Sequence, residues 1–326
     1  MIDNVLQVAK PKARVFPWGT SRPYNAYKDY LKSRFGGRLQ KVSVDAGFTC
    51  PNRDGSKAFG GCTYCNNASF VPPYCKPGMS IAQQVEAGVE YLSRRYKAEK
   101  FVVYFQAYSN TYAPLEYLQG IYAQALAHPR VLGLVIGTRP DCVDPAKLAY
   151  FEELAKKYYI SLEYGLESIH DATLERINRG HDFREWAEAV EMTAGRGIHV
   201  CAHVILGLPG ETREQMLQTA QVISRYPIDS LKIHHLHIVK KTVLAAEYQR
   251  QPFLVFGYSE YISLVIEFIR RLRPDIYLQR LVGETHPRNL VAPVWGVRAS
   301  TVQRHIEEEM LRRGVWQGEK AGAGAG

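Results

Sequence analysis

A strand-like run passes straight into a cysteine-rich loop in residues 39–65, LQKVSVDAGFTCPNRDGSKAFGGCTYC. The segment LQKVSVD predicts the first β-strand, and three of the chain's six cysteines follow it as Cys50, Cys62 and Cys65. Thiolates are soft ligands that favour zinc or iron–sulfur clusters. The loop therefore has three interpretations: a structural clip, a redox pair with a spare cysteine, or the ligand set of a metal centre.

Composition narrows these interpretations. The 326 residues are 46% hydrophobic and 22% charged, which is typical of one large globular domain or two modest ones. The N-terminus carries no secretion-signal pattern, and no run approaches the roughly 18 apolar residues of a membrane span. We therefore expect a cytoplasmic protein with no membrane partner. In a reducing compartment clustered cysteines are metal ligands or catalytic thiols more often than disulfides, which disfavours the clip.

Strands and helices alternate along the chain. Regular alternation implies parallel strands joined by right-handed crossovers, with functional groups at the carboxyl ends of the strands. An open doubly wound sheet and a full or partial barrel both fit, although six units fall short of the eight of a full barrel. The six strand segments are LQKVSVD, KFVVYF, VLGLVIG, YISLEYG, HVCAHVILG and SLKIHHLHIV.

The spacing of the cysteines separates the metal centres that they could hold. Eleven residues lie between Cys50 and Cys62, two between Cys62 and Cys65, and nine more before Cys75. Four cysteines would close a tetrahedral zinc site, but structural zinc ribbons pair two short knuckles and only one is present. Three thiolates on a 4Fe-4S cluster would leave one iron open to an outside ligand. The spacing favours the cluster over zinc, and zinc over a redox pair that ignores Cys50.

Several separate blocks of sequence resemble one family. They are CPNRDG, GGCTYCNNASF, YFQAYSNTY, IGTRPDC, LEYGLESIHDATLERINRGH, HVILGLPGET and KIHHLHIVKKT. Together they resemble the YhcC-like branch of the radical S-adenosylmethionine (SAM) superfamily, which is related to the catalytic subunit of Elongator. The resemblance covers about residues 24 to 300, and the wide spacing between the first two cysteines is itself a mark of this branch.

The resemblance implies a fold and a division of the chain. The fold is α/β, a partial (βα)6 TIM-like barrel of the radical SAM type with N- and C-terminal extensions. We expect a basic aromatic extension over residues 1–38, the radical SAM core over 39–245 and an α/β extension over 246–318. A disordered tail is expected over residues 319–326, which end in AGAGAG.

The resemblance also implies the cofactors. Cys50, Cys62 and Cys65 would bind a 4Fe-4S cluster, and SAM would chelate the open iron through its amino and carboxylate groups. Reduction, by an electron donor such as flavodoxin or ferredoxin, would cleave SAM to methionine and a 5′-deoxyadenosyl radical that abstracts a hydrogen atom from the substrate. The cofactor carries the difficult chemistry, and the protein supplies orientation and shielding.

Further residues would contact SAM by the same resemblance. Tyr64 and the turn GLPGET would contact the adenine, Glu167 the ribose, and Arg179 the carboxylate as a charge-assisted pair. Ser109 and Asn110 stand where relatives bind the amino group, and His203 stands where several relatives carry an acid. Gly137 replaces a glutamate that many relatives have. The expected SAM contacts are Tyr64, Ser109, Asn110, Thr138, Glu167, Arg179, His203, Gly207 and Leu208.

The formal charge of +9 is concentrated at the N-terminus, where residues 1–41 hold nine Lys or Arg, two acids and six aromatic residues. Basic side chains neutralise phosphates and aromatic faces stack on unpaired bases, so this mixture suits RNA. The alternative is an amphipathic helix around YNAYKDYLKSRF that packs its Tyr and Leu face on the core. In the sixth strand, His235 and His237 share one face and His234 the other, so we do not expect the three to bind one metal.

Two classes of function follow. The first is a radical SAM enzyme acting on RNA, in tRNA modification of a wobble-uridine side chain, with a small molecule or a protein as the alternative substrate. Since we expect no room for an acetyltransferase domain, trimming or rearranging an existing side chain fits better than the Elongator reaction. The second class is a non-catalytic, zinc-stabilised RNA-binding protein in which Cys75 joins the other three cysteines.

Overall fold

The computed structural model describes residues 14–66 and 72–322. Its strands are β1 (Leu39–Val44), β2 (Lys100–Phe105), β3 (Val131–Thr138), β4 (Tyr159–Glu167), β5 (His199–Leu206), β6 (Ser230–His235), β7 (Ile238–Val239), β8 (Tyr277–Arg280) and β9 (Leu290–Ala292). Its helices are α1 (Tyr27–Phe35), α2 (Ile81–Tyr96), α3 (Leu115–Leu126), α4 (Pro145–Ala155), α5 (Asp171–Arg176), α6 (Phe183–Thr193), α7 (Arg213–Ile223), α8 (Val243–Arg250), α9 (Tyr258–Arg271) and α10 (Ala299–Arg313).

Seven strands form one sheet in the order β1-β2-β3-β4-β5-β6-β8, and every neighbouring pair is parallel. Helices cross between consecutive strands, as the alternation in the sequence predicts. The sheet is a half-barrel, so the predicted partial barrel is confirmed, and the C-terminal region adds the seventh strand, β8. A second, antiparallel pair joins β7 to β9 beside this sheet. The expected boundaries at residues 38, 245 and 318 stay predictions.

Local sequence explains individual elements. Ser80 caps α2 in a capping box with Gln83, and the helix buries Ile81 and Val85 against the sheet. Gly133 in β3 lies so close to the next strand that a Cβ would meet the carbonyl oxygen of Tyr159 at 1.9 Å. A side chain at that position would force β3 and β4 apart, so glycine is required there.

The N-terminal end of the barrel, here called the base, is closed by α1. The hydroxyl of Tyr27 lies 2.6 Å from that of Tyr159, and the ring of Tyr30 stacks on Tyr277 with centroids 4.4 Å apart. Phe16, Tyr24 and Tyr27 are buried. These aromatic faces contact the protein itself, which corrects the interpretation of the segment as an RNA-stacking surface and supports the packed amphipathic helix. Lys10, Lys12 and the rest of residues 1–13 lie outside the described residues.

The C-terminal segment is held more tightly than the sequence suggests. Glu319 pairs with Arg270, and the ammonium of Lys320 lies 3.1 Å from the carboxylate of Glu267. Residues 319 and 320, at the start of the expected tail, therefore contact α9, and residues 323–326 lie outside the described residues. In the described part of the chain, no helix is both long and apolar enough to cross a lipid bilayer.

Candidate functional site

A cavity of about 270 Å³ opens at the carboxyl ends of the barrel strands, opposite the base. Its walls come from the cysteine loop, from the ends of β2 to β6 and β8, and from residues 284–285. Cys50, Cys62 and Cys65 all line it. In parallel α/β folds this end of the sheet is where functional residues collect, as the sequence predicted.

The cysteine loop folds back on itself by short turns. The amide N–H of Arg53 donates to the carbonyl of Cys50 at 2.8 Å, and that of Cys65 donates to the carbonyl of Cys62 at 3.0 Å. Gly61 adopts a φ of +83°, and a Cβ there would meet the Arg53 Nε at 2.8 Å. The turns bring all three cysteines to the cavity.

Cys75 lies apart from these three. Its thiol points to the carbonyl of Ser43, with the Sγ to O distance 3.7 Å, and it does not line the cavity. Within residues 14–66 and 72–322, no three cysteine sulfurs lie within 4.8 Å of one another. Zinc–sulfur bonds of about 2.3 Å would place every pair of sulfurs within about 4.6 Å. The cysteines therefore do not fit one zinc ion, whereas a cluster of several irons spans a wider set of sulfurs.

Nitrogen donors surround the thiols. Arg179 Nη1 and Asn52 Nδ2 each lie 3.6 Å from the Sγ of Cys62. Burial, together with the charge of Cys62, raises the pKa of Cys65 to about 11, so bound metal or nearby cations are needed to hold it as a thiolate. The buried Asn52 Oδ1 and Arg179 Nε have no hydrogen-bond partner among residues 14–66 and 72–322. Unpaired polar atoms of this kind indicate a site built for a further group.

Tyr64, Glu167 and Arg179 meet at one wall of the cavity. Arg179 Nη2 lies 3.4 Å from the Glu167 carboxylate and donates to the carbonyl of Gly165 at 2.6 Å. Burial raises the pKa of Glu167, against the opposing effect of the Arg179 charge. Glu167 has a φ of +73°, which is strained for a residue with a side chain, and such strain collects at functional sites. The structure thus brings these three expected SAM contacts together at the cavity, and their roles stay predictions.

Thr138 lines the cavity, but Ser109 and Asn110 do not. Both are buried; the Ser109 hydroxyl lies 2.9 Å from that of Thr138, and Asn110 Nδ2 donates to the carbonyl of Gly137 at 2.8 Å. Their side chains fix the end of β3 from behind. Gln106 and Tyr108, which follow β2, line the cavity in their place, and Tyr108 has a φ of +62°.

Gly207 and Leu208 lie at a different surface. They line a separate groove of about 720 Å³ with α5, α7 and α8, while Ile205 faces the cavity from β5. Gly207 has a φ of +90°, and a Cβ there would meet the ring of Phe256 at 2.9 Å. The turn GLPGET is therefore tightly packed, but the structure does not place its first two residues at the cavity with the cysteines.

The sequence missed a charged layer at the floor of the cavity. Glu163 lies 3.2 Å from the Lys41 ammonium and 3.1 Å from the His203 ring, and it pairs with Lys232, which also contacts Tyr104 at 3.1 Å. Burial would raise the pKa of Glu163, but the charges of Lys232 and Lys41 hold it well below its usual range. Burial and Lys232 lower the pKa of His203 to about 4, so this ring is neutral. The sequence signal that could have revealed this layer is the presence of charged residues within strand segments that are otherwise apolar.

Glu163, Cys201 and His203 also lie close enough together to hold a metal ion, with their ligand atoms within 4.8 Å of one another. The carboxylate of Glu163 is already neutralised by Lys41 and Lys232. A cation bound there would face both ammonium groups, so this trio is a poor metal site. His235 stacks on Trp295 at 4.2 Å and lies 4.1 Å from the His237 ring, but His234 lines the same cavity, so the expected separation of His234 onto the opposite face is not seen.

Known proteins resemble the chain at two levels. Residues 50–223 match the family described as the Radical SAM superfamily, and residues 228–312 match the Radical_SAM C-terminal domain. Protein YhcC of Escherichia coli (strain K12) is 36% identical over 299 residues, which cover 91% of this chain and 95% of YhcC. A tRNA uridine(34) acetyltransferase of Methanocaldococcus infernus is 24% identical over 192 residues, or 58% of this chain and 35% of that protein.

Among solved structures, archaeal Methanocaldococcus infernus Elp3 with an N-terminal deletion superposes with a TM-score of 0.66 at 17% identity. The superposition covers 86% of this chain and 64% of that one. At this identity the likeness supports the fold alone, and it confirms the predicted architecture.

Proposed function

The chain belongs to the radical SAM superfamily, and from this premise we propose that it uses a 4Fe-4S cluster and SAM to abstract a hydrogen atom from a wobble-uridine side chain of tRNA. The observation that carries the proposal is the cavity itself. It gathers Cys50, Cys62 and Cys65 at the carboxyl ends of the strands and leaves Cys75 outside. A zinc-stabilised structural role does not fit this arrangement.

The three cysteines would hold the cluster. When bound, the cluster and SAM supply the 5′-deoxyadenosyl radical that removes a hydrogen atom from a substrate. Arg179 and Asn52 would donate hydrogen bonds toward the Cys62 sulfur, which they already approach at 3.6 Å. Donors and cations near cluster sulfurs favour the reduced state, because they offset the added negative charge.

Other cavity residues would orient SAM. Tyr64, Thr138, Glu167, Arg179 and His203 line the cavity and are retained as proposed contacts. Glu167 is an acceptor suited to ribose hydroxyls, and Arg179 is a cation suited to a carboxylate. We propose that Ser109 and Asn110 act indirectly, by holding Thr138 and the carbonyl of Gly137 in place. Gly207 and Leu208 would support this wall from outside through their packing against Phe256.

The tRNA substrate is supported by the relative described as a tRNA uridine(34) acetyltransferase. Only 35% of that protein aligns with this chain, so its acetyl transfer is not carried over. The proposed reaction is hydrogen abstraction followed by trimming or rearrangement of a side chain already on the base. A base side chain would reach the cavity beside SAM only if its nucleotide is splayed out of its stack.

Anaerobic reconstitution followed by nucleoside analysis tests the proposal. The reconstituted protein should hold about four irons per chain and convert SAM to 5′-deoxyadenosine under reduction. Total tRNA from cells lacking the gene should accumulate a modified uridine, and the purified protein should consume that nucleoside in vitro. SAM cleavage with an unchanged tRNA profile would move the substrate to a small molecule or a protein. Absence of both iron and SAM cleavage would refute the enzyme itself.

A further inference from the structure

We propose that an unpaired RNA loop docks across the opening of the cavity on two facing segments, an inference that rests on the proposed tRNA function. One segment is the tip of the cysteine loop with the end of β2. The other is the ribbon formed by β7 and β9 with the end of β8. The surface they form, called the mouth surface below, consists of Arg53, Phe59, Tyr108, Lys240, Lys241, Arg280 and Arg288.

The ribbon stands directly beside the cavity. Val239 and Thr285 line the cavity, and the amide of Lys240 donates to the carbonyl of Asn289 at 2.8 Å. Asn66, just after the last cluster cysteine, donates from Nδ2 to the carbonyl of Lys240 at 2.9 Å. The ribbon is therefore tied to the cysteine loop, and its side chains lie at the opening.

The ribbon is positively charged. Residues 236–242 and 278–292 contain four Lys or Arg and one acid, Glu284. Lys240, Lys241, Arg280 and Arg288 are all exposed. In residues 14–66 and 72–322, none of these four cations forms an ion pair with an acidic side chain. Exposed cations that form no ion pair within the protein attract a polyanion, and binding the polyanion breaks no existing ion pair.

Some cations of the base are held by the protein, although Lys28 and Lys32 on α1 are exposed and form no ion pair within the described residues. Arg22 pairs with Glu307 and lies 3.6 Å from Asp29, and the guanidinium of Arg14 sits 3.9 Å over the Trp316 ring. Lys57, on the cysteine loop, is also occupied, at 2.8 Å from both Asp141 and Glu185. Some of the N-terminal cations that the sequence assigned to RNA thus interact within the protein, whereas Lys240, Lys241, Arg280 and Arg288 form no ion pair in the described residues.

The other segment carries two exposed aromatic side chains, of which Tyr108 lines the cavity. Phe59 is 79% exposed at the tip of the cysteine loop, where a short bridge between Asp54 and Phe59 holds it. Tyr108 is 38% exposed on the cavity wall, and the Arg53 guanidinium lies 5.8 Å from its ring centroid. Exposed aromatic rings beside cations bind unpaired bases by stacking. An acidic protein such as an electron donor would use the cations but has no need of these rings, which favours RNA.

The test compares two sets of charge removals in the full-length, cluster-loaded protein. The mouth variant is Lys240→Ala, Lys241→Ala and Arg288→Ala, and the control is Lys28→Ala with Lys32→Ala on α1 at the base. Binding of unmodified tRNA is measured by fluorescence anisotropy at several salt concentrations. The mouth variant should bind at least tenfold more weakly, and its slope of log affinity against log salt should shrink by about two. The control should match the wild type, and Phe59→Ala alone should weaken binding about tenfold by loss of stacking.

Three results would overturn the proposal. If the mouth variant binds tRNA as the wild type does while the wild type still modifies tRNA, the surface is wrong and the proposed function stands. If the wild type cleaves SAM but binds no tRNA, the RNA substrate itself falls. If the mouth variant keeps tRNA affinity but loses affinity for reduced flavodoxin, the surface belongs to the electron donor. Iron content and thermal midpoint, compared across all variants, exclude misfolding as the cause of a loss.

Discussion

The two ends of the barrel differ in how far their polar groups are paired and in how much backbone strain they contain. At the base, α1 covers the sheet and polar groups find partners, as in the Tyr27–Tyr159 hydroxyl pair at 2.6 Å and the His199–Ser230 contact at 2.8 Å. At the mouth, backbone strain occurs at Tyr108 and Glu167. Five of the eight buried polar side-chain atoms without a hydrogen-bond partner in the described chain also lie there, on Asn52, Thr63, Arg179, His234 and His235.

This difference separates stability from function. An end whose polar groups are mostly paired offers little to a ligand, whereas unpaired donors and strained backbone persist only where the rest of the fold supports them. Changes at the mouth should therefore affect cofactor or substrate more than folding, and changes at the base should do the reverse. The charged layer around Glu163 lies between the two ends and should affect both.

The largest effect is expected from the cluster cysteines. Cys65→Ala should reduce bound iron from about four per chain to near zero and abolish SAM cleavage, because two thiolates cannot hold the cluster. Cys75→Ala is the matched control, since Cys75 lies outside the cavity, and it should retain full iron and activity. Iron assay and 5′-deoxyadenosine formation measure both. Loss of iron in the Cys75 variant would show that the ligand assignment is wrong.

Some features of the fold and of the candidate site could be predicted from the sequence, and others could not. The order of strands and the loop after β1 were predictable because they follow from local patterns, the alternation of elements and the spacing of Cys50, Cys62 and Cys65. The direction of Ser109 and Asn110 was not, because the backbone turns at Tyr108 with a positive φ and breaks the simple alternation of faces. The resemblance identified the motif that follows β2. The backbone turn at Tyr108 determines which side chains of that motif face the cavity.

The remaining differences between the expected and the observed site arise from contacts between residues that are far apart in the sequence. Lys41, Glu163 and Lys232 lie on three strands that are not neighbours in sequence, and they meet only because the curved sheet turns the same face inward. The N-terminal segment had two interpretations because Tyr27 and Tyr30 suit both a base-stacking surface and a core-facing helix. Only the position of α1 over the strand starts decides between them.

The second prediction concerns the layer between the two ends. Glu163→Gln removes the carboxylate that holds Lys41 and Lys232, and it leaves two buried or half-buried ammonium groups facing each other. Breaking a buried ion pair costs about 3 kcal/mol, so the free energy of unfolding should fall by about that amount. Chemical denaturation measures it. Glu309→Gln, which removes a surface carboxylate paired with Arg312 and Arg313, is the control, and it should leave the denaturation midpoint nearly unchanged. Equal midpoints for both variants would mean that the layer contributes no more than a surface pair.

The third prediction is a pH dependence shared by both ends. Burial lowers the pKa of His199 at the base to about 3 and that of His203 at the mouth to about 4. Their unfolded pKa is about 6.5. Below that pH the unfolded chain binds protons that the folded protein does not, so stability is full above pH 6.5 and falls as the pH falls. Each such histidine contributes up to about 1.4 kcal/mol per pH unit.

Substitution assigns this dependence to its source. His199→Gln should make the loss of stability between pH 6.5 and 5 shallower by about one proton, with SAM cleavage unchanged. His203→Gln should flatten the slope similarly and also lower SAM cleavage, because His203 lines the cavity. Urea denaturation at a series of pH values gives the slopes. A slope unaffected by His199→Gln would show that this ring is not kept neutral at the base.

The smallest effect should come from a single hydroxyl at the base. Tyr27→Phe removes the bond between Tyr27 and Tyr159 while keeping the packed ring, and it leaves the buried Tyr159 hydroxyl without that partner. The cost should be about 1 kcal/mol of unfolding free energy. Iron content, SAM cleavage and tRNA affinity should not change, since no atom of the mouth moves. Tyr64→Phe is the mirror change, because it removes a hydroxyl from the cavity wall and should lower SAM affinity with little loss of stability. If Tyr27→Phe instead reduced SAM cleavage at unchanged stability, the two ends would be coupled through the charged layer, and the division between a stabilising base and a functional mouth would fail.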